Sequence, residues 1–220
     1  MLCVHCRSES EVAERVESHL RLQLRQKTLR GFFPTGNSPL QFYQLLNKDK
    51  EFWRQRLNPI QIDEFCSPGP GIFQTQLKQQ LITPMGLEAN FEGINSSWTE
   101  AEFLSHMQRT LSKPIDFCIL GLGPNGHVGF HEPGIGDQDF LGGRVTLSEE
   151  SFLRVKGAPG KTVYTFGAGA FLKAKTIIMI VTGKSKANAL VQLKARNMDA
   201  QFPASLLKNH PDSKVFEFTD

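Results

Sequence analysis

One histidine of the chain is surrounded by the residue types that acid–base catalysis requires. His127 lies in the segment GLGPNGHVGFHEPG, residues 121–134. Glycines at this density allow the backbone to turn sharply and to approach a ligand closely. An imidazole has an ordinary pKa near neutrality, and the neighbouring Asn125 and Glu132 can fix its tautomer and orient its ring. The pattern favours His127 as a general acid–base residue over a purely structural histidine.

The remaining histidines and the cysteines lack this setting, and we interpret them as structural. Cys3 and Cys6 have the C-x-x-C spacing of a metal or redox site, but no second pair at zinc spacing completes it. The segment LCVHC also has the composition of an opening strand, in which cysteine acts as a small apolar residue. The histidines interpreted as incidental are His5, His19, His106, His131 and His210.

Two adjacent carboxylates, Asp63 and Glu64, follow a predicted strand at 60–62. At the carboxyl end of a strand, a carboxylate is well placed to act as a general base. Acidic pairs also occur in solvated turns and at helix starts. The pair alone therefore leaves both interpretations open.

A polar loop at 34–38 is suited to binding an anion. It lies between a predicted strand and a predicted helix, where backbone N–H groups and hydroxyls can surround a phosphate. The spacing is not that of a Walker loop, and a plain strand-to-helix turn is the alternative. The candidate phosphate-binding residues of this loop are Thr35, Gly36, Asn37 and Ser38.

A second basic segment, Lys184-Ser185-Lys186, follows an apolar strand and a glycine at the start of a predicted helix. A cation at this position opposes the helix dipole, which favours anions at a helix N-terminus. A bound anion would resolve that conflict. A solvated pair of lysines is the alternative interpretation.

The elements that must position these residues alternate between strand and helix. Capping boxes at Ser8-x-x-Glu11 and Thr99-x-x-Glu102 open two of the helices. Further helices are predicted at 40–46, 73–82 and from 184 to about 195, and strands at 2–6, 29–33, 60–62, 115–120, 176–181 and 215–218. This alternation predicts a single α/β domain over residues 1–220, a mostly parallel twisted sheet with helices on both faces.

In such sheets ligands bind outside the carboxyl ends of the strands. The loops at 34–38, 63–70, 121–134 and 183–186 all follow predicted strands. We therefore expect these four loops to meet at one edge of the sheet and to form one site.

Composition excludes several classes of function. The chain has 220 residues, 40% of them hydrophobic and 21% charged, with a net charge of +3. This charge is too small to indicate a nucleic-acid partner, though it suits a small anionic substrate. No apolar stretch approaches the length of a membrane span, and the N-terminus lacks the pattern of a signal peptide. We expect a cytoplasmic protein that binds neither membranes nor nucleic acid.

Taken in order, these segments resemble the glucosamine/galactosamine-6-phosphate deaminase (isomerase) family over nearly the whole chain. GLGPNGHVGFHEPG is the strongest match, and PTGNSP, the acidic Ile-Asp-Glu-Phe motif at 62–65 and the Gly-x-x-Lys at 183–186 follow the same pattern. The related 6-phosphogluconolactonases have a similar histidine loop but lack the Glu-Pro-Gly that occurs here at 132–134. The segment PASLL at 203–207 looks closer to the galactosamine-6-phosphate branch.

The resemblance implies a reaction and assigns residues to it. The histidine, here His127, opens the pyranose ring, with Glu132 and Asn125 beside it. The acid, here Asp63, then moves a proton between C2 and C1, and ammonia leaves C2 to give a ketose 6-phosphate. The family needs no metal and no organic cofactor. Its substrate phosphate is held by the loop at 35–38, by Lys186 and by an arginine, for which Arg154 is the candidate.

The chain departs from the glucosamine enzymes at several positions. Asn125 stands where those enzymes have an aspartate, and an amide cannot stabilise imidazolium by charge. The lid after the acidic motif is shortened to 66–71, and the region after Pro133 is shorter and lacks the basic residues linked to allosteric control, so allostery is not expected. Two alternatives therefore stay open: a lactonase acting on a phosphorylated sugar lactone, and a silent sugar-phosphate-binding protein. The sequence is also compatible with a homo-oligomer.

Overall fold

The computed structural model describes residues 1–24 and 28–219 and contains two sheets. The strands, in chain order, are β1 (Leu2–His5), β2 (Leu29–Phe33), β3 (Leu57–Gln61), β4 (Asp63–Phe65), β5 (Ile115–Gly121), β6 (Gly142–Thr146), β7 (Thr162–Phe166), β8 (Ala174–Thr182) and β9 (Ser213–Phe218). The α-helices are α1 (Glu9–Leu24), α2 (Leu40–Lys48), α3 (Lys50–Trp53), α4 (Ile72–Leu77), α5 (Thr83–Met85), α6 (Glu100–Leu111), α7 (Glu149–Arg154), α8 (Ala168–Phe171) and α9 (Ala187–Ala195).

The central sheet has six strands in the order β1-β9-β8-β5-β2-β3, and every neighbouring pair is parallel. Its middle strands, β5 and β8, are buried along nearly their whole length, as expected for strands covered on both faces. Adjacent side chains point to opposite faces, so Phe32 packs in one core and Phe33 in the other. The predicted α/β fold with a mostly parallel sheet is confirmed.

A second sheet of three antiparallel strands, β4-β7-β6, was not predicted. Its strands are short, and β6 has the alternating burial of a strand with one solvated face. It covers a small apolar core that contains Phe65, Phe73 and Phe130. This sheet matters for function because β4 begins at Asp63.

Helix starts and interruptions follow local chemistry. The capping box at Thr99 is present in full, with Thr99 accepting from the Glu102 N–H and Glu102 accepting from the Thr99 N–H. At α1 only half of the predicted box forms, because Glu11 accepts from the N–H of Arg7 instead of Ser8. The helical stretch predicted at 73–82 is α4 followed by a π-helical turn at Lys78–Ile82.

The cysteines of the C-x-x-C segment occupy different environments, since Cys3 is exposed and Cys6 is buried. Among residues 1–24 and 28–219, no cluster of three or more potential metal ligands occurs. In the same part of the chain, no helix has the length and apolar character to cross a bilayer.

Candidate active site

A cleft of about 750 Å³ lies at the carboxyl ends of the central strands. The neighbouring strands β8, β5, β2 and β3 all run towards it, as the parallel topology requires. Its polar lining includes the predicted site residues Thr35, Gly36, Asn37, Ser38, Asp63, His127, Arg154 and Lys186. The structure thus brings the four predicted loops together at one site.

Asp63 faces this cleft from the start of β4 and is 7% exposed. Burial, together with the charge of the neighbouring Glu64, raises the pKa of Asp63 to about 8. Asp63 pairs with Thr165 of β7, and the hydroxyl of Thr165 accepts a hydrogen bond of 3.0 Å from the N–H of Phe130. Through β7, the strand of Asp63 is therefore connected to the loop that carries His127.

Glu64 is fully buried, and its carboxylate is used by the fold. It accepts hydrogen bonds from the N–H groups of Phe65, Phe73 and Gln74 at 2.9, 3.2 and 2.7 Å, and from the amide of Gln61 at 3.1 Å. Glu64 therefore joins β4 to the start of α4, and of the two adjacent carboxylates only Asp63 lines the cleft.

The glycines of segment 121–134 bring the backbone close to the imidazole. A Cβ atom on Gly123 would lie 2.4 Å from the ring of His127, so a side chain there would displace the ring. The turn is closed by hydrogen bonds from the Gly123 N–H to the His127 carbonyl and from the Gly126 N–H to the Gly123 carbonyl. Gly126 has φ of 87°, a value that favours glycine. The loop is therefore built around the histidine.

His127 contacts both predicted partners. Its Nδ1 lies 2.7 Å from Oδ1 of Asn125 and 3.6 Å from Oε1 of Glu132. The amide nitrogen of Asn125 lies 3.4 Å from Oε2 of Glu132, so the amide oxygen faces the ring as an acceptor. In this network Nδ1 carries the proton and Nε2 is left as a proton acceptor.

Burial decides the charge state of His127. It lowers the pKa of the imidazole to about 4, although Glu132 acts in the opposite direction and Lys186 and Arg154 lower it further. Burial outweighs the opposing charge of Glu132 and makes His127 neutral near pH 7, which the sequence does not reveal.

Two cationic residues, Lys186 and Arg154, also line the cleft. Lys186 is the N-cap residue of α9, and burial together with the nearby Arg154 lowers the pKa of its ammonium group. Arg154, which is half exposed, forms an ion pair with Glu150 at 2.6 Å. The loop at 34–38 is anchored by the hydroxyl of Tyr43, which donates to the Pro34 carbonyl at 2.5 Å. Two cations and a polar loop therefore face one space.

Several residues at the site had no signal in the sequence. Ser148 and Ser151 contact Glu132, and the cleft is also lined by Ile72, Phe73 and Gln76 of α4 and by Lys156, which follows α7. These segments are separate in the chain from the histidine loop, so only the tertiary fold places them there. His131, interpreted as incidental, is fully buried; its Nδ1 accepts from the N–H of Ala168 at 3.1 Å.

Comparison with known proteins places the chain among sugar-phosphate enzymes. The family model described as glucosamine-6-phosphate isomerases/6-phosphogluconolactonase matches residues 7–216. A glucosamine-6-phosphate deaminase of Streptococcus pneumoniae (serotype 4) is 30% identical over 193 residues, 82% of this chain and 81% of the relative. A monomeric glucosamine-6-phosphate deaminase of known structure has a TM-score of 0.87 at 25% identity, covering 98% of this chain and 96% of its own.

The fold extends to lactonases. The 6-phosphogluconolactonase of Thermotoga maritima has a TM-score of 0.78 at 20% identity, with 100% of this chain and 99% of that chain covered. At this identity the similarity concerns the fold alone. The family match and the deaminase relatives carry the assignment: the chain belongs to the glucosamine-6-phosphate isomerase/6-phosphogluconolactonase family.

Proposed function

We propose that this protein is an aldose–ketose isomerase and deaminase that converts galactosamine- or glucosamine-6-phosphate to a ketose 6-phosphate and ammonia. The observation that carries the proposal is that Asp63 and His127 line one cleft together with Lys186 and Arg154. One phosphorylated six-carbon sugar can therefore present its reacting carbons to the first pair and its phosphate to the second.

Ring opening is the task of His127. A neutral imidazole with Nε2 free accepts the proton of the anomeric hydroxyl and returns it to the ring oxygen as the C1–O5 bond breaks. Asn125 holds Nδ1–H, and Glu132 stabilises the transient imidazolium by its charge. The low pKa of His127 keeps the imidazole ready to accept a proton across the neutral range.

Proton transfer between carbons is the task of Asp63. Its carboxylate removes the C2 proton of the open-chain amino sugar, and the resulting enolamine takes a proton at C1. The C2 imine then reacts with one water, which supplies the ketone oxygen as ammonia leaves. Burial makes the carboxylate a stronger base than an ordinary aspartate, and the substrate's C2 ammonium group favours its ionised form.

The substrate phosphate is held by the cationic pair and the polar loop. Lys186, Arg154 and the loop at Thr35 to Ser38 offer charged and neutral donors to its oxygens. A phosphate also relieves the repulsion between the two cations that Lys186 experiences in the free protein. No metal or organic cofactor has a step in this scheme.

A lactonase is the second candidate, favoured by the neutral state of His127. A neutral imidazole could activate water to attack a sugar lactone, and Asp63 would then have no proton to move. The Glu132 carboxylate beside the ring argues for the deaminase, because it supports an imidazolium that must later give its proton to the ring oxygen.

A panel of sugar phosphates separates these functions. Galactosamine- and glucosamine-6-phosphate and a 6-phosphosugar lactone are incubated with the protein, and ammonia, ketose and sugar acid are measured separately. The proposal requires equal amounts of ammonia and ketose from at least one hexosamine. Sugar acid from the lactone without ammonia from either hexosamine would establish the lactonase, and binding without any product would establish a silent binding protein.

A further inference from the structure

The carboxylate of Glu132 is held by two hydroxyls that belong to a different part of the chain. Oε1 accepts a hydrogen bond of 2.6 Å from Ser151, and Oε2 accepts one of 2.9 Å from Ser148. Glu132 is 4% exposed and Ser151 is 2% exposed, so water competes little for the bond between them, whereas Ser148 is exposed. The two serines, called here the serine clamp, fix both oxygens of the carboxylate.

The local structure of α7 fixes the clamp in turn. Ser148 is the N-cap residue of this helix, and its hydroxyl accepts from the N–H of Ser151 at 3.2 Å. The hydroxyl of Ser148 thus accepts from the helix and donates to Glu132 at the same time. Both serines are therefore set by the same helix turn, and the direction of each hydroxyl is determined by its partners.

We propose that Ser148 and Ser151 are positioning residues that hold Glu132 against His127. This inference rests on the proposed function, in which Glu132 supports the imidazolium during ring opening. Asn125 contacts the same ring nitrogen but brings no charge, so the electrostatic support comes from Glu132 at 3.6 Å. A carboxylate free to rotate would stabilise the imidazolium less and would leave the orientation of the ring less well defined.

The helix that carries the clamp also carries a cationic residue of the cleft. Arg154 lies three residues after Ser151 in α7, and both residues line the cleft. A phosphate held by Arg154 therefore acts on the helix that orients Glu132. The geometry connects phosphate binding with the alignment of the acid–base pair.

Ser151→Ala tests the clamp, since alanine keeps the helix and removes one hydroxyl. We expect kcat on the hexosamine phosphate to fall by about 10- to 100-fold while KM stays within about threefold. Ser148→Thr, which keeps both a hydroxyl and an N-cap, should retain most of the activity. Ser105→Ala, an exposed serine of α6, is the control and should behave as wild type.

A second measurement does not depend on turnover. Titration of the His127 ring by NMR in the free protein should give a lower pKa in Ser151→Ala than in wild type, because a released Glu132 raises the pKa less. The groups whose charges reach this ring are Glu132, Lys186, Arg154 and Glu150, and none of them is changed by the substitution.

The outcomes are distinct. Wild-type kcat and an unchanged His127 titration in Ser151→Ala would overturn the proposal. A loss of activity accompanied by lower thermal stability and an unchanged titration would also overturn it, because the serine would then be structural only. If the wild-type protein turns over no sugar phosphate, the proposed function fails, while the titration still decides whether the clamp acts on His127.

Discussion

Two pairs of residues that line the cleft differ in burial and in charge. In the acid–base pair, Asp63 is 7% exposed and the side chain of His127 is 18% exposed. Burial drives both groups to their neutral forms, raising the pKa of Asp63 and lowering that of His127. In the cationic pair, Lys186 and the half-exposed Arg154 are close enough to repel each other.

This difference indicates how binding energy would be used in the proposed reaction. There the cationic pair attracts the phosphate, which does not react, and the buried pair contacts the carbons that do. Binding energy from the phosphate can therefore offset the cost of bringing a charged amino sugar against a buried carboxylate. The adjacent carboxylates show the same division, because Glu64 has four hydrogen-bond donors and serves the fold, whereas Asp63 faces the cleft.

The largest expected effect comes from removing the buried base, Asp63. Asp63→Asn should lower kcat by at least about 1,000-fold, because an amide cannot accept the C2 proton, while substrate affinity changes only a few-fold. Initial rates of ammonia release and calorimetric binding measure the two quantities. Asp139→Asn, an exposed carboxylate, is the control. A variant that keeps a tenth of wild-type kcat would remove Asp63 from the mechanism.

The pH dependence should report the same buried carboxylate. Asp63 acts as a base only when ionised, so kcat/KM should rise about tenfold per pH unit below pH 8 and level off above it. Because His127 is neutral above about pH 4, it adds no further limb between pH 5 and 8. Infrared spectra of the free protein should show a protonated carboxyl that disappears near pH 8 and is missing in Asp63→Asn. A carboxyl that ionises near pH 4 would contradict this electrostatic description.

Two lysines of one turn, only one of which lines the cleft, provide a matched pair of substitutions. Lys186→Ala should raise KM by roughly 10- to 100-fold, the loss of one charge-assisted contact worth about 1.5–3 kcal/mol. Lys184→Ala should leave KM unchanged, because Lys184 is exposed and lies outside the cleft. Equal effects of the two substitutions would mean that the net charge of this surface, and not a direct contact with Lys186, determines phosphate binding.

The smallest expected effect is a change in the pKa of His127 when an anion binds to the cationic pair. Lys186 and Arg154 lower the pKa of His127, so an anion bound between them should raise it. Titration of the His127 ring by NMR, with and without inorganic phosphate, measures the shift. The shift should be absent in Lys186→Ala at the same phosphate concentration. A pKa that stays the same or falls on phosphate addition would show that an anion bound at Lys186 and Arg154 does not stabilise the imidazolium of His127.

Much of the site could be predicted from the sequence because its parts are local. His127, Asn125 and Glu132 lie within one loop, and parallel strands bring their carboxyl ends to one edge. The second sheet was missed because its strands are only three to five residues long. The contacts of Ser148 and Ser151 were missed because they join segments that are separate in the chain. The charge state of His127 could not be predicted either, since burial depends on residues distant in the chain.

The central claim is that Asp63 moves the C2 proton of a hexosamine 6-phosphate whose ring His127 has opened. The most direct test follows a substrate deuterated at C2, by NMR, with wild-type protein and with Asp63→Asn. Wild type should remove the label from C2 as ketose and ammonia appear. Asp63→Asn should still accelerate exchange between the anomers, which needs only ring opening, yet keep the label at C2. Loss of the C2 label at the wild-type rate in Asp63→Asn would contradict the claim.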